Sequence, residues 1–331
     1  MMDLDPNRNG LNRRQFLDRL TKAGICIAAA GAAGFWFHDA QGPLPSKHEP
    51  SNLRLKDFSI GVPGQKMSII RGDDRAATLR AAVKSLGGIE TFIKQGDRVL
   101  LKVNAAFASP AMLSATTHPA IVTEMTRLCF QAGAASVVVT DNPINNPASC
   151  FTLTGIADAA GKAGARVVLP REDLFRPITV NNAKLIRNWP VLYKPFTDIT
   201  KVIGMAPLKD HHRSGASMTM KNWYGLLGGR RNIFHQNIHG IIMELAMMVK
   251  PTFVVLDATT AMMTNGPTGG SLSDLKNTNT MIVSTDQVAA DAFGASLLGK
   301  SLDKLPFIGK AEAAGIGTAN YLKLNPVRAS I

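Results

Sequence analysis

The stretch MAPLKDHHRSGASMTMKNWYGLLGGRRNIFHQNIHG, residues 205–240, dominates the interpretation of this chain. It is followed by an apolar segment, by VLDA at residues 255–258 and by NGPTGG at residues 265–270. Lysines, arginines and four of the seven histidines lie here, between segments with the composition of buried strands. Buried cations are unfavourable unless they are paired or lie in a solvated cleft. The stretch therefore predicts a functional site.

The motifs of this region occur in a distinctive order: PLKDHH, KNWYG, HxxxH before a predicted helix, VLDA and NGPTGG. In this combination the chain resembles the exported branch of the family called domain of unknown function 362 (DUF362), from about Gly61 to Gly299. That family has no well-defined biochemical role. The resemblance therefore implies an architecture and candidate positions rather than a reaction.

The amino terminus has the features of an export signal. NRRQFL at residues 12–17 is close to the twin-arginine pattern, although Asp18 departs from it. The apolar run from Ala23 to Phe37 is shorter than the roughly 20 residues of a membrane span. We expect residues 1–45 to form a twin-arginine signal segment and linker, recognised by the twin-arginine translocase, and the protein to be periplasmic or exported. Cleavage and retention as an anchor both remain open, and we expect membrane contact only through an uncleaved segment.

The net charge and the cysteine content limit the classes of ligand and cofactor that this chain is expected to bind. The formal net charge is +13, of which residues 1–40 contribute only +1 from five basic and four acidic residues. An anionic small molecule fits this charge better than nucleic acid, because nucleic-acid motifs are absent and aromatic residues are few. The cysteines are Cys26, Cys129 and Cys150, with no CxxC, so no iron–sulfur cluster is expected from this chain. The cofactor is otherwise unknown.

Residues 46–331 predict a single α/β domain, with two coupled lobes at about 60–170 and 200–300 as the alternative. Buried strands are predicted at 99–104, 136–141, 202–209 and 252–257 in a largely parallel sheet flanked by helices on both faces, with a small insertion or flap within 175–195. A further core strand is predicted at 280–285. Asp73 and Asp286 are the predicted caps of the helices that follow them. No nucleotide-binding fingerprint follows any strand.

Ligands of parallel sheets collect at the carboxyl ends of strands, and several polar residues follow the predicted strands. The substrate-binding candidates are Lys102, Asn104, Asp141, Lys209, His212, Asn222, Gly266 and Gly269. An equal alternative is that Lys102, Asn104 and Lys209 are merely solvated residues near strand ends and have no binding role. Residues 265–270 are likewise as typical of a plain turn as of a binding loop. The resemblance places Asp291 at a family position, and we expect it to form a structural ion pair with a site lysine.

Four residues are the catalytic candidates: Lys221, His235, Asp257 and His211. An enclosed lysine can act as a base or as a Schiff-base amine, and histidine and aspartate can move protons or bind a metal. A solvated lysine and structural histidines are the alternative interpretation.

His235 and His239 are four residues apart on a helix predicted to continue to Val249. That spacing puts both rings on one helical face, where they can share a divalent metal. No third ligand is defined by the sequence, so anion binding or proton transfer by the same histidines is an equal alternative, as is one core histidine beside one solvated histidine.

The leading hypothesis is an exported enzyme that acts on an anionic small molecule with lysine, histidine and aspartate side chains, with metal assistance as an option. The alternative hypothesis is a non-catalytic metal- or cofactor-binding protein that serves a periplasmic electron-transfer or assembly system.

Overall fold

The computed structural model describes residues 13–36, 53–61, 64 and 66–331. Helix α1 (Arg13–Trp36) belongs to a separate unit of the chain and is described by itself. It contains both arginines of the predicted signal, while the rest of segment 1–45 lies outside the described residues. Among the helices searched in the described part, none is both long enough and apolar enough to cross a bilayer.

The remaining chain is built on one sheet of nine described strands and a separate two-stranded sheet. The strands are β1 (Met67–Arg71), β2 (Arg98–Lys102), β3 (Ser136–Thr140), β4 (Arg166–Val168), β5 (Phe175–Ile178), β6 (Trp189–Leu192), β7 (Lys201–His211), β8 (Gly215–Ser217), β9 (Phe253–Met262), β10 (Leu275–Ser284) and β11 (Val327–Ser330). The large sheet has the order β11-β1-β10-β9-β7-β2-β3-β4, with β8 beside the end of β7.

Strands β9, β7, β2, β3 and β4 are mutually parallel, so their carboxyl ends meet at one edge. Strand β2 has the sequence RVLLK and β3 has the sequence SVVVT. Such short apolar runs are typical of parallel strands, because both faces of a parallel sheet are covered by other elements. In register, Lys102 lies opposite Thr140 and Gly204. Strand β7 continues well beyond this point to His211 and carries Lys209 past the end of β2. The prediction of a largely parallel α/β sheet is confirmed.

Helices cover both faces of the sheet. They are α2 (Arg75–Ser85), α3 (Pro119–Gln131), α4 (Pro147–Leu153), α5 (Ile156–Lys162), α6 (Thr219–Asn222), α7 (Ile238–Met248), α8 (Gln287–Leu297) and α9 (Pro306–Ala313). One core joins α2, α3 and α5 to residues such as Leu101 and Val255, and the other joins α7, α8 and α9 to residues such as Leu100 and Leu256. The alternation of side chains along each strand produces these two cores.

The predicted insertion is the β5–β6 hairpin and its connecting loop, which we call the flap (residues 175–192). The carboxylate of Glu244 on α7 holds the loop, accepting hydrogen bonds from the backbone N–H of Lys184 at 2.7 Å and of Ile186 at 2.8 Å. The flap is therefore anchored to the main domain at a buried side chain.

Two local predictions need correction. Strand β10 is longer than predicted and runs antiparallel to both β9 and β1, because it returns directly after β9 without a crossover helix. The cap of α2 is Asp74 rather than Asp73, since the Asp74 carboxylate accepts a 2.7 Å hydrogen bond from the N–H of Ala77. Asp286 caps α8 as predicted, accepting from Val288 and Ala289.

We predict that Asp74→Ala lowers the free energy of unfolding by about 1 kcal/mol, because it removes a helix-capping acceptor. Asp73→Ala is the matched control, because the Asp73 carboxylate accepts no hydrogen bond in the part of the chain that the structure describes. Urea denaturation of both variants measures the difference. Equal losses from the two substitutions would contradict the assignment of the cap.

Candidate functional site

The site is built around a buried ion pair at the carboxyl edge of the sheet. Nζ of Lys102, the last residue of β2, lies 2.7 Å from Oδ1 of Asp141, which follows β3. Both side chains are buried. The ammonium also donates to the backbone carbonyls of Val103 at 2.7 Å and Asn222 at 2.8 Å. Burial lowers the pKa of Lys102, and the Asp141 carboxylate opposes that effect.

Asp141 in turn organises the surrounding backbone. Its Oδ2 accepts a 2.7 Å hydrogen bond from the N–H of Ala105. A Cβ on Gly225 would lie 1.9 Å from Asp141 Oδ1 and 2.9 Å from Lys102 Nζ. Only glycine can therefore bring the segment after α6 this close to the ion pair. Asn222 completes the arrangement by donating from Nδ2 to the carbonyl of Lys102 at 3.1 Å.

Lys209 is a second buried cation at this edge. Its ammonium donates to the carbonyl of Ala115 and lies 5.2 Å from the centre of the Phe107 ring. Burial and then the nearby charge of Lys221 lower the pKa of Lys209 to about 7, against the opposing attraction of Asp141. A lysine with this pKa exchanges its proton near neutral pH.

Lys221 and Arg231 both lie near the aromatic ring of Tyr224. Lys221 Nζ is 5.2 Å and Arg231 Cζ is 5.9 Å from the centre of the Tyr224 ring. Burial and then the charge of Arg231 lower the pKa of Lys221 to about 8. Among the described residues, the guanidinium of Arg231 donates to backbone carbonyls: those of Asn142 and Pro143 at 2.8 Å, of Leu227 at 3.2 Å and of Tyr224 at 3.5 Å.

We call Lys102, Lys209, Lys221 and Arg231 the cation cluster. Among the residues that the structure describes, Asp141 is the one carboxylate that forms an ion pair with any of them. The negative charge of Asp141 also raises the pKa of Lys102, Lys209 and Arg231, against the lowering effect of burial, and so stabilises their charged forms. Four cations against one carboxylate leave an excess of positive charge in a weakly solvated region. Such an excess favours an anion.

Three histidines border the cation cluster. The His211 ring stacks on those of His212 and His235, with ring centres 5.1 Å and 6.5 Å away. His211 Nδ1 accepts hydrogen bonds from the N–H groups of Arg213 and Ser214 at 3.2 Å and 3.3 Å, which assigns its proton to Nε2. Burial and the charge of Lys221 lower the pKa of His211 to about 2, so its ring is a neutral Nε2–H donor.

His235 has the opposite tautomer. Its Nδ1 lies 3.0 Å from the carbonyl of Asn232 and therefore donates there, while the Tyr224 hydroxyl lies 3.3 Å from the same nitrogen. That bond assigns the lone pair to Nε2. Burial lowers the pKa of His235, so the ring is a neutral proton acceptor. His211 and His235 together offer one donor and one acceptor beside the cations.

The prediction of one helix through both His235 and His239 is wrong. His235 lies in a 3-10 segment (Arg231–Asn237), and His239 lies in the first turn of α7. The His239 ring stacks on Phe307, with centres 6.1 Å apart, whereas His235 contacts Tyr224. Within the described part of the chain, no group of three or more histidine, cysteine or acidic residues has the arrangement of a metal site. The geometry thus adds no support to metal binding by this pair.

Asp257 has partners outside the cation cluster. Its carboxylate lies 3.0 Å from Nε of Arg75 on α2, and it is a charge that acts on His118. Side chains separated by an even number of residues along a strand share one face. Asp257 therefore shares the face of Phe253 and Val255, which pack in the core with α2 and α3, whereas Lys102 shares the face of Leu100, which packs in the other core. The structure brings Lys221 and His235 together and places Asp257 with Arg75.

The other predicted binding residues differ in their surroundings. Asn104 is buried beside Ala105 and its Oδ1 has no hydrogen-bond partner among the described residues. His212 contacts the carbonyl of Gly266, whose own N–H donates to Asp210 at 3.2 Å. The N–H of Gly269 donates to the carbonyl of Asn265 at 3.0 Å. Both loop N–H groups are therefore occupied, which favours the turn interpretation of residues 265–270.

Asp291 forms hydrogen bonds rather than the expected ion pair. Its carboxylate accepts from the N–H groups of Thr219 at 2.8 Å and Met220 at 3.1 Å and from the Thr219 hydroxyl at 2.6 Å. These residues begin α6, the short helix that carries Lys221. Burial raises the pKa of Asp291 to about 7. Asp291 therefore positions α6, and it forms no ion pair with a lysine among the residues that the structure describes.

The fold and the site define an α/β protein with a cation cluster at the carboxyl edge of its sheet. The family described as domain of unknown function (DUF362) matches residues 99–296, and the chain belongs to that family. The match includes each member of the cation cluster. The chain is also similar to the Thylakoid-associated protein sll1697 of Synechocystis sp., with 26% identity over 250 residues, 72% of this chain and 75% of that protein.

Gly225→Ala tests the close approach at the ion pair. We predict a loss of about 1–3 kcal/mol in the free energy of unfolding, because the added methyl group meets both Asp141 and Lys102. Gly309→Ala on α9 is the control, since a Cβ there meets nothing within 4 Å. It should be neutral or slightly stabilising. Thermal and urea denaturation measure both, and an unchanged Gly225→Ala would contradict the described geometry.

Proposed function

We propose that this chain is an exported protein that binds an anionic small molecule at the cation cluster and acts on it as an enzyme. The observation that carries the proposal is the cation cluster itself: Lys102 and Lys209 are buried, Lys221 and Arg231 are half-buried, and Asp141 is the one described carboxylate that forms an ion pair with any of them. Placing unpaired cations in a weakly solvated region is costly, and a bound anion offsets the cost. The family match supports the architecture without naming a reaction.

The roles of the residues follow from their partners. Lys102 is held by Asp141 and supports the site, whereas Lys221 has only the Tyr224 ring as a described partner and is free to contact an anion. Lys209 adds a second exchangeable ammonium. His235 Nε2 is the proton acceptor, and His211 Nε2–H is a hydrogen-bond donor that keeps its proton. Proton transfer to or from a bound anion is the chemistry that this set supports best.

Anion binding should be coupled to proton uptake. At pH 8 the lysine with a pKa of about 7 is largely neutral and the one with a pKa of about 8 is half protonated. A bound anion raises both values, so protons are taken up and affinity falls as the pH increases from 6 to 9. Titration calorimetry with pyrophosphate and with succinate, in two buffers of different ionisation enthalpy, measures affinity and proton uptake together.

Lys221→Met should weaken the binding of the preferred anion about tenfold or more, since a charge-assisted hydrogen bond is lost. Lys201→Met is the control, because Lys201 begins β7 at the opposite edge of the sheet. Equal losses from the two variants, or no binding of either anion at millimolar concentration, would refute the proposal.

A non-catalytic binder is the second candidate. Two observations favour it: Asp257 pairs with Arg75, and the pKa of His211 lies far below neutrality. Both reduce the number of groups that can exchange protons with a ligand. Stoichiometric binding without turnover of phosphate esters or carboxylates would favour the binder, and metal analysis of the purified protein would identify a metal-binding form.

Export by the twin-arginine translocase is part of the proposal, and it is supported by the sequence NRRQFL at residues 12–17, whose two arginines begin α1. We predict that the Arg13→Lys, Arg14→Lys double variant stays in the cytoplasm, because this route is selected by the arginine pair. Immunoblots of periplasmic and cytoplasmic fractions measure the distribution, with Arg19→Lys as the control. Export of the double variant at the normal level would rule out this route. Release by high salt alone would count against a retained anchor.

A further inference from the structure

A cavity of about 640 Å³ lies at the edge of the sheet opposite the cation cluster. Its wall includes Lys250 and Pro251, which lie just before β9 and are separated from it by Thr252, and Thr285, which immediately follows the antiparallel β10. The flap, the last turn of α7, Gln287, residues 314–316 and the segment 53–61, which we call the strap, form the rest of the wall. The volume is within the range of about 300–1,000 Å³ typical of small-molecule sites.

The strap is fixed to the domain by hydrogen bonds and packing, so its part of the cavity wall is held in place. The N–H of Phe58 donates to the carbonyl of Lys250 at 3.0 Å, and the Thr252 hydroxyl donates to the carbonyl of Phe58 at 2.9 Å. The Phe58 side chain is buried, with its ring centre 6.1 Å from that of Phe196. A wall held in place in this way reduces the cost of ordering the site when a ligand binds.

The lining separates into an apolar part and a cationic rim. Ile178, Val180 and Met248 are buried side chains of the apolar part. Methionine side chains adapt to ligands of irregular shape. At the rim, Arg54 and Lys56 are exposed and form no ion pair within the described residues, whereas Lys250 pairs with Asp57 at 3.2 Å.

We propose that this cavity is a second ligand site, for a small anionic amphiphile. The apolar body of the molecule lies against Ile178, Val180 and Met248, and its acidic group meets Arg54 and Lys56. The excess charge of the rim selects an anion over a cation, and the buried aliphatic lining selects an apolar body over a hydrophilic anion such as phosphate. The site stands independently of the function proposed for the cation cluster.

The proposal is tested with decanoate, at concentrations below those at which it forms micelles. Decanol and decyltrimethylammonium are the neutral and cationic counterparts. Titration calorimetry of the purified chain should show one site that prefers decanoate. The Arg54→Glu, Lys56→Glu double variant should weaken decanoate binding at least tenfold. The matched control is Lys84→Glu, Lys323→Glu, which changes the net charge equally at exposed positions that do not line the cavity.

A steric pair completes the experiment. Ala314 is exposed and lines the cavity, and its neighbour Ala313 is exposed and does not. Ala314→Trp should abolish decanoate binding and Ala313→Trp should leave it unchanged. Equal binding of decanoate and decanol, or equal effects of the two tryptophans, would overturn the proposal. Saturating pyrophosphate should not displace decanoate, so failure at one site is distinguishable from failure at the other.

Discussion

The buried ion pair between Lys102 and Asp141 is the interaction on which the rest of the site depends. Removing two charges from water costs several kcal/mol per ion. The attraction between the two ions offsets this cost only when their remaining hydrogen-bond donors and acceptors also have partners. Here the backbone of Val103 and Asn222 serves the ammonium, and Ala105 serves the carboxylate. The pair thereby ties β2 and β3 to the segment that begins with α6.

Because Asp141 pairs with Lys102, the neighbouring cations form no ion pair with a carboxylate among the described residues. Lys209, Lys221 and Arg231 arrive on separate elements, and their described partners are carbonyls and aromatic rings. Burial, and then repulsion by a neighbouring cation, lowers the pKa of both Lys209 and Lys221 toward neutrality. Such an arrangement is unfavourable for stability by itself, and strain of this kind is typical of functional sites.

The two edges of the sheet are linked through a buried glutamine. Oε1 of Gln287 accepts a 2.7 Å hydrogen bond from Trp223, the residue after Asn222. Nε2 of the same side chain donates to the carbonyls of Ala246 and Val249 at 3.2 Å. Gln287 also lines the cavity at the amino edge. The same buried network therefore supports α6 beside the cation cluster and the wall of the distant cavity.

The sequence by itself determined the α/β class, the parallel strands and the edge where Lys102, Asp141 and Lys209 meet, because short apolar runs that end in polar residues are local signals. Only the tertiary structure decided which of these residues share surroundings. Asp257 and Lys102 differ in strand face, and His235 and His239 are separated by a change of helix type; neither effect is encoded in spacing alone. The roles of Arg231, Gly225 and the cavity under the strap likewise depend on contacts between segments far apart in the chain, which a local pattern cannot specify.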